Sequence, residues 1–188
     1  MKKNIYYSLL ISAMVSVSAA EETRQVDKHE HGVGELNIAI EGNAIDFEFF
    51  IPGADIVGFE YEAKTESDIA LVNAALEKFG NFDNIFSLPE SSNCNLVNSE
   101  IGVNQDDDHD DHDEHDDHDD HDEEAHNEFV AHYSFNCENI KEIDRISFPY
   151  FTNFPNSGEL EIQFVSEKGS TGFEVEGDEP FIDLKGKI

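Results

Sequence analysis

Five histidines, His109, His112, His115, His118 and His121, recur at every third position, and aspartate or glutamate fills every gap between them. Imidazole nitrogen is a preferred ligand of zinc, copper and nickel, and carboxylate oxygen completes such shells. Any two neighbouring histidines of the run can therefore close on one ion. A charge run that served only solubility would not need histidine at each third place. A calcium loop of the EF-hand kind would need a glycine and a terminal glutamate that this pattern lacks. With no apolar residues and dense like charge, the run has no core to build, so it is expected to be disordered without metal. Ordering it costs entropy that the ligand bonds must offset, which makes it a loose, fast-exchanging binder of several ions.

Tighter binding requires donors on rigid elements. The four remaining histidines are candidates: His29 and His31 in His-Glu-His-Gly, and His126 and His132 on the segment that leaves the run. On an extended chain side chains alternate, so an HxH pair puts both rings on one side, and the even offset between His126 and His132 gives them a common face on a regular strand. Two or more of the four are expected to coordinate metal.

The elements that must position these residues follow from periodicity. Gly34 to Pro52 reads as a β-hairpin, with Leu36, Ile38 and Ile40 alternating before a Glu41-Gly42-Asn43 turn and Ile45, Phe47, Phe49 and Ile51 alternating after it. Thr65 precedes Asp68 as the start of a capped helix whose apolar face, Ile69, Val72, Leu76 and Phe79, is expected to cover the sheet. Phe82 to Pro89 is apolar but irregular, and Asn93 to Val97 suggests a strand carrying Cys94. Strands are expected from Phe129 to Cys137, Arg145 to Phe148, Leu160 to Val165, Thr171 to Val175 and Phe181 to Leu184. The class is α+β: a mostly antiparallel sheet packed by one main helix, with the His/Asp-rich stretch 104–125 as a disordered insert in a single domain, 21–188. Fifteen phenylalanines are the main core material.

Lys2 and Lys3, the apolar stretch Ile5 to Val17 and the small residues Ser18, Ala19 and Ala20 have the layout of a signal peptide over residues 1–20. Export to the periplasm is the expectation, without a lipid anchor, since no cysteine stands at the cleavage point. Two cysteines in an oxidising compartment, Cys94 and Cys137, are expected to form one disulfide. Thiolate metal ligation is the alternative, and no CxxC spacing favours it. The net charge of −32, without any Lys or Arg cluster, excludes nucleic acid and anionic lipid and concentrates cations instead. There is no HExxH helix, no GxSxG elbow and no nucleophile paired with a base, so no enzymatic activity is expected.

Read in order, His29-Glu30-His31-Gly32, Gly53-Ala54-Asp55, Gly58-Phe59-Glu60, Cys94, the histidine-rich insert, Tyr133 with Phe135 and Cys137, and Phe151-Thr152-Asn153-Phe154-Pro155 resemble the ZrgA-type periplasmic zinc-binding proteins. The resemblance spans nearly the whole of the chain after residue 20. It implies a zinc-capturing component that works with an inner-membrane ABC-type uptake system. Another periplasmic zinc-binding protein is the alternative partner, and a monomer is expected. Members of that family often carry histidine directly after Gly-Phe-Glu, where this chain has Tyr61, which leaves Glu60 as the oxygen donor there. The rival reading is a periplasmic buffer or metallochaperone for zinc, copper or nickel that acts in metal resistance.

Overall fold

The computed structural model describes residues 32–105 and 126–188. The expectations placed on the signal peptide, on His29 and His31, and on His109, His112, His115, His118 and His121 within the insert lie outside the described residues.

The first hairpin forms as its alternation requires: β1 (Val33–Glu41) and β2 (Ala44–Pro52) pair antiparallel, with Glu41 opposite Ala44. Gly42 takes φ +58, the positive value that a primed hairpin turn asks of its first central residue. After it come β3 (Cys94–Gln105), β4 (Asn127–Cys137), β5 (Arg145–Ser147), β6 (Glu159–Ser166), β7 (Gly169–Glu176) and β8 (Phe181–Asp183). Six strands form one sheet in the order β3-β4-β2-β1-β6-β7, and β5 with β8 makes a separate pair. Every pairing is antiparallel except β1 with β6. Parallel neighbours cannot be joined by a hairpin. Here everything from β2 to the short helix Tyr150–Asn153 lies between them in sequence and makes the crossover.

One face of the sheet is the core. Leu36, Ile38, Phe47, Phe49, Phe129, Tyr133 and Phe164 point into it and are essentially inaccessible. The irregular apolar stretch covers its centre: Phe86 stacks on Phe47 at 4.0 Å between ring centroids and meets Tyr133 and Phe135 edge-on at 5.4 and 5.8 Å. Offset and edge-to-face rings of this kind add to the burial of large apolar area.

The helix α2 (Glu66–Phe79) packs as expected except at its first turn: Ala75 and Phe79 are buried and Val72 and Leu76 lie against the core, but Ile69 is 46% exposed, while residues 82–88 occupy the position over the centre of the sheet. The start of α2 is as expected, with Thr65 Oγ1 accepting from the Asp68 N–H at 3.1 Å. Replacing Thr65 by alanine should cost about 1 kcal/mol, the usual value of such a cap, seen as a lowered urea midpoint with an unchanged slope.

The opposite face of the sheet is open and polar, as one face of an antiparallel sheet can be. Across its middle the register places Gln163, Asn37, Glu48, His132 and Glu100 side by side.

A candidate metal centre at one end of the sheet

Four central strand ends meet at one edge of this sheet. There β1 begins at Val33, β2 ends at Pro52, β4 begins at Asn127 and β6 begins at Glu159, with Val33 opposite Glu159 and Pro52 opposite Glu128. The short helix α1 (Gly53–Val57) leaves β2 at that point, and Gly58, at φ +86, turns the chain out of it. Residues 59–61 then run beside the start of β4. The Asn127 N–H donates to the Glu60 carbonyl at 2.7 Å, and Asn127 Nδ2 donates to the Tyr61 carbonyl at 3.0 Å. Gly53 makes this fit possible, since a Cβ there would lie 1.5 Å from Asn127 Oδ1 and 2.7 Å from the Phe59 carbonyl oxygen.

The consequence is a fixed carboxylate beside a fixed imidazole. Glu60 Oε2 lies 2.8 Å from His126 Nδ1, with the Glu60 side chain 13% exposed and the ring 53% exposed. Donation of Nδ1–H to the carboxylate leaves the lone pair on Nε2, which is the carboxylate–histidine arrangement that can present a nitrogen to zinc. At 2.8 Å the two atoms are spaced as donor and acceptor.

A second clamp lies at the same end. Asp55, 3% exposed on α1, accepts from the Gly32 N–H through Oδ1 at 2.8 Å. The Gly32 carbonyl in turn accepts from the N–H groups of Gly158 and Glu159 at 2.9 and 2.8 Å. Gly32, at φ +90, is the residue directly after His31. Tyr150 underlies this corner, its hydroxyl 2.7 Å from Ser157 Oγ. Burial first, and the nearby Asp55 charge as well, push its phenol well above the ordinary tyrosine range, so it stays neutral.

The structure separates two of the expected ligands. His132 sits in the middle of β4, six residues beyond His126, which along a strand is about 20 Å. A single ion does not join them. Cys94 and Cys137 face each other in register and are bonded, which rules out their use as thiolate ligands in this state. Among the described residues, no three histidine, cysteine, aspartate or glutamate side chains are gathered as a complete shell.

Sequence reasoning from spacing missed Asp55, Asn127 and Gly53. The contacts that give them meaning bridge 23 residues for Gly32 with Asp55 and 66 for Tyr61 with Asn127, beyond any local period. Their only trace was the Gly-Ala-Asp and Gly-Phe-Glu motifs.

The α+β sheet thus carries, beside the start of β4, an imidazole within hydrogen-bond distance of a carboxylate. A family model described as ZrgA family zinc uptake protein matches residues 28–184, and the chain belongs to that family. Its role is therefore tied to zinc uptake. No curated protein matches the chain. No helix among the described residues is long and apolar enough to cross a membrane.

Proposed function

We propose that the protein captures zinc in the periplasm and delivers it for import by an inner-membrane ABC-type zinc uptake system. In this reading His126 Nε2 is the anchor of a tight site at the sheet end, Glu60 orients its ring, and His29 and His31, which precede the clamped Gly32, supply further nitrogens. His109, His112, His115, His118 and His121 act as a loose collector, ending five residues before His126. The observation that carries the proposal is the 2.8 Å contact between Glu60, in the segment after α1, and His126, the residue before β4. Copper binds such donors at least as strongly as zinc, and nickel competes. Zinc is preferred as cargo because the family is one of zinc uptake.

Calorimetric zinc titration of the full chain beside a variant lacking Asp106 to Glu124 tests the division of labour. The deletion should bind fewer ions but keep a tight site. An unchanged stoichiometry would remove the histidine run from the mechanism, and complete loss of binding would remove the sheet-end site. Production that rises with metal load, instead of under zinc starvation, would assign the protein to resistance.

A further inference from the structure

The contact between Glu60 and His126 depends on where the main chain of Glu60 lies, and that stretch belongs to no helix or strand. It is gripped from β4 by Asn127, the residue after His126. The Asn127 main-chain N–H donates to the Glu60 carbonyl at 2.7 Å, and its side-chain Nδ2 donates to the next carbonyl, that of Tyr61, at 3.0 Å. Phe59 and Tyr61 stack ring on ring at 4.6 Å and so share one side of the chain, which leaves Glu60 between them to the other. A main chain held at two successive carbonyls has little freedom to turn at Glu60.

The amide that makes the second of these bonds is buried at a loss. Asn127 is 3% exposed and lies against Gly53, where a Cβ would fall 1.5 Å from Oδ1. Among the described residues Oδ1 has no hydrogen-bond partner. A buried acceptor without one lowers stability, a loss that an apolar side chain would avoid. The amide cannot recover it by turning over, because its oxygen would then face the Tyr61 carbonyl oxygen. What the asparagine contributes in return is the bond from Nδ2 to the segment that carries Glu60.

We propose that Asn127 is the positioning residue of the sheet-end centre. Its side-chain amide, through the Tyr61 carbonyl, holds the Glu60 carboxylate against His126 Nδ1 and so keeps the ring in the Nδ1–H tautomer that leaves Nε2 for zinc. The proposal rests on the reading of His126 as a zinc donor. Asn127 is not itself a donor to the ion, and its removal frees the segment without removing either Glu60 or His126.

The test pairs a metal-free measurement with a zinc titration of the full chain. Nitrogen NMR of the rings at about pH 8.5, above the ordinary histidine range, reads the tautomer of each imidazole. His126 of the wild type should hold its proton on Nδ1, while in Asn127→Ala it should populate both tautomers, as a ring without a fixed hydrogen-bond partner does. Calorimetry with zinc chloride should show the tight site of Asn127→Ala weakened about tenfold, the lower end of the 10–100-fold range for an outer-shell partner. In a Glu60→Gln background the same substitution should add little. A residue with only a structural role would lower the urea midpoint but leave the tautomer and the zinc affinity of the folded variant unchanged. That result, or additivity with Glu60→Gln, would overturn the proposal. Should Asn127→Ala fold poorly, the wild type decides: an Asn127 side-chain amide that exchanges with water as fast as that of exposed Asn73 would overturn it as well. His126→Ala, titrated alongside, separates the two readings. If it keeps the tight site, the zinc reading of His126 falls and this proposal with it; if it loses the site while Asn127→Ala keeps it, only the role of Asn127 falls.

Discussion

Replacing His126 by alanine is expected to weaken the tight zinc site by at least about 100-fold, or about 2.8 kcal/mol at 1.4 kcal/mol per decade. The estimate is a lower bound, because loss of an outer-shell partner already costs about 10–100-fold and His126 is placed as a direct donor. Glu60→Gln should cost about 10–100-fold, since the amide retains a hydrogen-bonding oxygen but loses the charge that holds Nδ1–H. The two side chains act as a unit through their 2.8 Å contact. The double variant should therefore bind no more weakly than His126→Ala alone, a departure from additivity that a calorimetric double-mutant cycle reads directly. Full additivity would mean that Glu60 ligates the ion independently and does not work by orienting the ring. If His126→Ala leaves the tight site intact, the sheet end is the wrong place.

How much of this was legible beforehand depends on the range of the interaction. The hairpin and the start of α2 are written in short periods and a cap, so Leu36 to Ile51 and Thr65 to Asp68 read correctly. Periodicity says which side of a helix is apolar, but not what else competes for the sheet. Phe86 won that place, and Ile69 was left at the surface. The length of β3 was hidden for a different reason: it is an edge strand, and Leu96 and Val97 are 43% and 69% exposed, so neither of its faces shows the alternation of a half-buried strand. The parallel pairing of β1 with β6 joins residues more than a hundred positions apart and leaves no local trace.

The site shows the same division. Residue type alone marked the histidines, while the partners that orient or anchor them come from distant loops. The motif Phe151 to Pro155 is instructive because its role is structural. Phe154 stacks on Phe79 at 5.0 Å, Asn153 Nδ2 donates to the Asn84 carbonyl at 2.8 Å, and Lys78 Nζ donates to the Asn153 carbonyl at 3.0 Å. The motif pins the C-terminal end of α2 to the core.

Reduction of the Cys94–Cys137 disulfide, or its replacement by serines, is expected to lower stability by about 4 kcal/mol without changing the tight zinc site. The bond closes a span of 43 residues, and restricting a chain of that length in the unfolded state is worth about 4 kcal/mol in the chain-entropy account. The histidine run lies inside that span, so its freedom in the unfolded chain contributes to the value. The cysteines sit where β3 begins and β4 ends, while Glu60 and His126 sit where β4 begins, eleven strand residues away. Urea unfolding with and without reductant should show the midpoint shift, and zinc titration below the reduced midpoint should give the oxidised affinity. A stability change below about 1 kcal/mol would mean that the unfolded state is already compact around this pair. A loss of zinc affinity in a reduced protein that is still folded would place the cysteines in the metal pathway and contradict their position at the far end of the sheet.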